Sequence, residues 1–184
     1  MGSPKGLRVS SYIPRMRGTE TAERTILVRM KTLILGLGNT ILCDDGVGIR
    51  VAEELQTRLT DPGITVLETS LSGLSLLDIL VGYDKVIIID AIQTVGGKAG
   101  DIYQLDPDAL QVSRHAASPH DVNLATALKL GQRLGLALPR EIVIFAIEVA
   151  DVTTFSEECT PELKRAIPVC VEMVIRELKG EPDA

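Results

Sequence analysis

Two adjacent carboxylates at Asp44 and Asp45, a third at Asp90 and an imidazole at His120 are the side chains of this sequence best placed to do chemistry. The first two close a loop that reads Gly36-Leu37-Gly38-Asn39-Thr40-Ile41-Leu42-Cys43-Asp44-Asp45-Gly46-Val47-Gly48, between an aliphatic run and a helical pattern. That position suggests dinucleotide binding. However, the third glycine of G-x-G-x-x-G would fall at Ile41, and two carboxylates stand where a pyrophosphate needs bare amides. The nucleotide reading is therefore rejected, and Glu68 becomes a cleft-rim residue rather than a ribose-binding acid. One aspartate is enough to cap the following helix. Spacing alone weighs capping and metal ligation equally for the pair.

Asp90 follows Val86-Ile87-Ile88-Ile89, the unbroken aliphatic run of a central parallel strand. A carboxylate there is costly to bury, and open α/β sheets gather ligands at the carboxyl ends of their strands. Turn initiation is its bland alternative. In Ser118-Pro119-His120-Asp121, Ser118 reads as an N-cap, Pro119 as the first helical residue and Asp121 as the capping-box partner. His120 is left without a capping role, in a first turn whose dipole favours the neutral, metal-binding ring. His115 reads as an ordinary surface histidine. Asp45, Asp90 and His120 together would give a mixed oxygen and nitrogen set for a divalent transition metal, and softness alone does not choose nickel over zinc. Cys43 reads as a small buried hydrophobe, with thiolate ligation conceivable.

Strand and helix patterns must alternate to bring these residues together. The sequence predicts strand 32–36, helix 46–59, strand 64–68, helix 73–81 and strand 85–90, joined as right-handed βαβ crossovers in an α/β fold. A short strand over 101–105, with an antiparallel edge as one option, and a polar loop over 111–118 follow. Then come a helix from Pro119 to about Leu134, a buried strand 141–148 and a loop to Thr160. A final helix over 161–178 carries one apolar stripe, with a kink or break expected at Pro168. Residues 1–30 are polar, basic and rich in breakers, and read as a flexible extension before one domain over 31–180.

Composition narrows the function classes. The chain has 184 residues, 45% hydrophobic and 3% aromatic with no Trp, so its core must be aliphatic. A net charge of −6 gives no clustered cations for nucleic acid or anionic lipid. The longest apolar runs fall far short of the ~20 residues that span a bilayer. Three cysteines, Cys43, Cys159 and Cys170, are an odd number without a Cys-x-x-Cys pair, which fits a reducing cytosol. Cys159 and Cys170 read as structural, and a cytoplasmic location is expected.

Gly36-x-Gly38-Asn39, then Asp44-Asp45-Gly46-x-Gly48, Asp90-Ala91 and Ser118-Pro119-His120 resemble, in order and separation, the hydrogenase maturation proteases from Met30 to about Leu178. The resemblance implies a three-layer α/β/α sandwich on a mostly parallel, five-stranded twisted sheet. It also implies an endopeptidase that removes the C-terminal peptide from the large-subunit precursor of a nickel-iron hydrogenase. Nickel borne by that precursor would be engaged by Asp45, Asp90 and His120, which are also the catalytic residues implied, with Asp44 supportive. Zinc or cadmium could take the same place. The implied partner is that precursor, with no nucleic acid or membrane, and the protein is expected to be a monomer. Leu71 stands where members often carry a small polar residue. The stretches 147–151 and 157–161 fall in a region the family varies, which points to a part in choosing the hydrogenase.

The implied chemistry is attack by water on the scissile carbonyl, since no Ser-His-Asp or Cys-His arrangement is apparent in the sequence. Metal polarisation of the carbonyl, metal activation of the water, and simple anchoring while Asp45 or Asp90 acts as base all stay open. The rivals are a nickel-binding chaperone that checks loading without cutting, and a zinc hydrolase of small amides.

Overall fold

The computed structural model describes residues 30–105, 116–117 and 121–181. The expected extension thus lies, apart from Met30, outside the described residues, as do His115, Ser118, Pro119 and His120.

Six strands are described: β1 (Thr32–Leu37), β2 (Ile64–Thr69), β3 (Lys85–Thr94), β4 (Ile102–Leu105), β5 (Ala116–Ala117) and β6 (Glu141–Glu148). Their order is β2-β1-β3-β6-β4, with β5 attached to β3. β1 pairs in parallel with β2 and β3, and β3 with β6, whereas β4 runs antiparallel to β6 as the expected edge. The helices are α1 (Val47–Arg58), α2 (Leu76–Leu80), α3 (Asp121–Arg133) and α4 (Pro161–Lys179), and short 3-10 turns at Cys43–Gly46 and Gly73–Ser75 lead into α1 and α2.

Strand alternation divides the core into two aliphatic layers. Ile34, Ile87, Ile89, Phe145 and Ile147 face Val51 and Leu55 of α1 and Leu163, Cys170, Val171 and Val174 of α4. Leu33, Leu35, Val86, Ile88 and Ile144 face Leu76 and Leu80 of α2 and Leu124 and Leu128 of α3. Each large apolar side chain buried this way contributes roughly 1.5–3 kcal/mol against exposure. The result is the three-layer sandwich.

Two expectations are corrected. β3 does not end at Asp90 but runs to Thr94. Its ladder with β6 persists to Ile92 opposite Glu148, and Gln93 and Thr94 then pair with β5. Nor does α4 break at Pro168. That residue lies on the exposed face, so the Lys164 carbonyl it leaves without a donor can turn to water, while the buried stripe holds the helix to the sheet. α4 stops at Gly180, whose φ of 67° is a left-handed cap.

Candidate active site

β1 is flanked by β2 on one side and β3 on the other, so a crevice opens at the carboxyl ends of β1 and β3, where connections leave in opposite directions. The glycines of the first loop let the chain pass through this crevice. Gly38 has a φ of 142°, and a Cβ there would meet the Asp45 carbonyl oxygen at 2.0 Å. A Cβ on Gly48 would lie 2.3 Å from the Ile89 oxygen and 2.4 Å from the Leu37 oxygen. On Gly36 it would lie 2.5 Å from the Gly48 oxygen. These glycines allow the start of α1 to seat against β1 and β3, and they set where Asp45 stands.

Asp45 sits in the 3-10 turn that packs against β3, and only 4% of it is exposed. Asp90 is 2% exposed, at the first β3 position beyond the β1 ladder, which ends with Gly36 opposite Ile89. Its Oδ1 accepts the Ala91 N–H at 2.9 Å. The fold thus brings the elements carrying both acids to one edge of the sheet. His120 lies outside the described residues. Of its described flanks, β5 pairs with Gln93 and Thr94 of β3, and α3 begins at Asp121. Among the described residues, no group of three His, Cys, Asp or Glu could hold a metal ion.

Asp44 behaves differently from its neighbour. It is fully buried, and its carboxylate caps neither the 3-10 turn nor α1. Instead it accepts the Thr160 N–H at 2.7 Å, the Thr160 hydroxyl at 3.1 Å and the Asp151 N–H at 3.2 Å. Thr160 is the N-cap residue of α4. A carboxylate from the first loop therefore satisfies the N-cap amide and hydroxyl of the last helix, where the dipole favours negative charge. Backbone bonds from Asp44 N to the Asp151 oxygen (3.0 Å) and from Cys43 N to the Ser156 oxygen (2.9 Å) complete the junction. Asp44 is thus a clamp between two loops.

The junction encloses two thiols. Cys43, at a φ of 37°, directs its Sγ to the Glu158 oxygen at 3.5 Å, and the Cys159 Sγ lies 3.5 Å from the Cys43 oxygen. Burial pushes both thiols above the ordinary range, with the Asp44 charge adding to the rise, and burial alone pushes Cys170 up to about 12. Such thiols are poor nucleophiles and poor ligands at neutral pH.

Beside the acid pair, Gly38, Asn39, Thr40, Ile49, Glu53, Glu68, Thr69 and Ser70 line an open cleft of about 510 Å³. Glu68 is indeed a rim residue. Loss of water around its carboxyl and repulsion from Glu53 raise it above the ordinary range, against a smaller lowering by Arg50. Sequence reasoning missed Glu148, 3% exposed at the end of β6, which accepts the Thr94 N–H at 2.7 Å and its hydroxyl at 2.8 Å. An acid closing an aliphatic strand was the available signal, the same one that singled out Asp90.

No helix among the described residues is long and apolar enough to cross a membrane. A family model described as hydrogenase maturation protease matches residues 49–177. The chain is 27% identical over 152 residues to the hydrogenase 2 maturation protease of Escherichia coli, covering 82% of this chain and 92% of the relative. Among solved structures, it is similar to the hydrogenase maturating endopeptidase HybD of E. coli (TM-score 0.73, 26% identity, 82% and 93% coverage). It is also similar to a nickel-iron hydrogenase maturation protease, HycI, of Thermococcus kodakarensis (TM-score 0.64, 25% identity, 83% and 95% coverage).

Proposed function

The chain belongs to the hydrogenase maturation proteases, a family of endopeptidases that process hydrogenase precursors, and we propose that it removes a C-terminal peptide from a nickel-loaded large-subunit precursor. The observation that carries the reading is the pair of buried acids, Asp45 and Asp90, on two elements packed together at the carboxyl edge of the sheet. Nickel enters as part of the substrate. Two carboxylates and the imidazole of His120 suit a divalent transition metal, and zinc or cadmium would fit the same donors. The ion supplies a recognition point and positive charge next to the scissile bond.

The chain's own residues then do three things. Asp45, Asp90 and His120 orient the loaded precursor. Asp44 and the loop glycines hold Asp45 in register. One of the two acids, freed from the ion or shared with it, takes the proton of the attacking water. Attack by water rather than by sulfur is supported by the burial and raised pKa of Cys43 and Cys159. The reaction would run in the cytoplasm on a protein partner, with this chain acting as a monomer.

The test is intact mass measurement of the nickel-loaded large-subunit precursor incubated with and without this protein. Loss of a short C-terminal peptide only with the protein present is the expected result. A precursor that keeps its full mass, although folded and bound, would replace the protease with a loading checkpoint.

A further inference from the structure

In a parallel ladder each residue turns its N–H and C=O to one side, and successive residues alternate sides. Thr32 N donates to the Gly63 oxygen at 2.9 Å and Gly38 N to the Thr69 oxygen at 3.3 Å, so the odd-numbered residues of β2 face β1. Ile64, Val66 and Glu68 therefore point their backbone groups outward. In keeping with this, the Val66 carbonyl accepts the exposed Gln56 side chain, at 3.3 Å, rather than a β1 amide. The Ile64 N–H turns back to the Asp61 oxygen at 3.0 Å. Along the outer side, the Val66 and Glu68 N–H groups and the Ile64 and Glu68 carbonyls face away from the sheet.

Among the described residues no strand lies beyond β2, which ends the strand order. Edge strands are ordinarily blunted by Pro, Lys, a bulge or a covering element. Ile64-Thr65-Val66-Leu67-Glu68-Thr69 carries neither Pro nor Lys, pairs with β1 in unbroken register, and has its sole charge at Glu68, near the carboxyl end. Such an edge is complementary to an extended polypeptide segment that continues the ladder. Its position selects the segment. β2 ends at the cleft of about 510 Å³, which Glu68, Thr69 and Ser70 line together with Gly38, Asn39 and Thr40 of the first loop. A chain leaving the crevice where Asp45 stands reaches the β2 edge through that cleft.

We propose that the outer edge of β2 receives the C-terminal tail of the precursor as an added antiparallel strand. The inference deepens the proposed function and rests on it. A precursor whose metal centre is held at the crevice sends the peptide beyond the cut away from its folded body, and that direction runs from the carboxyl to the amino end of β2. The strand has 6 residues, so roughly six residues of tail, about 20 Å of extended chain, pair along its length. Main-chain bonds supply the hold, and the exposed Leu67 gives a tail side chain an apolar neighbour.

The test is hydrogen exchange of the full-length protein, read residue by residue by mass spectrometry with electron-transfer fragmentation. The protein is labelled alone and with nickel-loaded precursor carrying or lacking its tail, for seconds, ahead of cleavage that intact mass follows separately. The Val66 and Glu68 amides should exchange freely in the protein alone, slow at least about 10-fold with the tailed precursor and stay fast with the tail-less one. Thr65 and Leu67, already in the β1 ladder, should change little. Val66→Pro, which removes an outward donor and no ladder bond, should raise the KM for the precursor about 2- to 10-fold. If that variant folds poorly, the exchange contrast in the parent still decides. Cleavage without tail-dependent slowing at Val66 and Glu68 would overturn the added strand alone. Slow exchange of both amides in the protein by itself would give the edge to another segment of this chain or to a second copy, and would overturn it too. Tail-dependent slowing without cleavage would overturn the protease reading and leave the added strand standing. Neither slowing nor cleavage would overturn both.

Discussion

Asp44→Ala should cost the fold several kcal/mol by removing the acceptor that joins the first loop to the start of α4. The substitution strands the Thr160 N–H and hydroxyl and the Asp151 N–H, all now held by one fully buried carboxylate at 2.7, 3.1 and 3.2 Å. A hydrogen bond to a charged group is worth about 1.5–3 kcal/mol net, and three sharing one acceptor do not add fully, so about 3–5 kcal/mol is expected. For a chain of this size about 2–4 °C is lost per kcal/mol, giving a fall in melting temperature of about 6–20 °C. Asp44→Asn keeps the shape but turns an amide NH2 toward donors, and should fall between the parent and alanine. Calorimetry gives the size, and hydrogen exchange gives the place: protection should drop at Asp151, Thr160 and the first turn of α4 before it drops in β1 and β3. A melting temperature within about 2 °C of the parent would refute the clamp.

Four further outcomes follow from particular residues. His120→Ala should abolish precursor processing without lowering the melting temperature, whereas a variant that still trims at the parent rate would remove His120 from the site. Lys85, nearly buried, pairs with Glu141 at 2.8 Å and with Glu177; burial alone would lower its ammonium, but the two glutamates outweigh burial and raise it. A folded pKa above the unfolded one means that this contribution is complete below about pH 10.5 and is lost as pH rises through the folded value, so urea titrations should show the parent more stable than Lys85→Met at pH 8, with the gap closing in alkali. All three thiols should resist an aromatic disulfide reagent at pH 8 until denaturant is added, with Cys170 last; rapid labelling of the native protein would contradict their burial. Gly48→Ala should displace α1, because its Cβ would lie 2.3 Å from a β3 carbonyl, and the variant is expected to be insoluble or to melt at least 10 °C lower.

The elements were legible because their periodicities are strong. β3 and β6 are aliphatic runs, α4 carries one clean stripe, and each survives in the structure within a residue or two except where long-range pairing intervened. β3 overran its expected end because β6 and β5 continue beside it, a partnership the local sequence does not encode. Pro168 was tolerated because it falls on the solvent face, a matter of helix phase against the core rather than of proline itself. At the site, Asp45 and Asp90 could be picked out as acids beside strand ends. The partners of Asp44 could not, since Asp151 and Thr160 lie 107 and 116 residues away. Glu148 escaped for a related reason, as its partner Thr94 lies beyond the expected end of the strand over 85–90.

The doubled aspartate gains its meaning from this contrast. Adjacent residues in a 3-10 turn point in different directions, so one carboxylate can serve the fold while its neighbour serves the crevice. Asp44 fixes the position of the turn by binding the start of α4, and Gly38 and Gly48 fix it from the opposite side by letting backbone meet backbone. Asp45 is thereby held with little freedom, as a group that engages a substrate-borne ion must be. The two acids should therefore separate by assay: Asp45→Asn should lose processing more than Asp44→Asn does, and Asp44→Asn should lose the hold on Thr160 and Asp151, and with it stability, first. Matching losses of both properties in both variants would show that the pair acts as one unit and that the division drawn from their contacts is false.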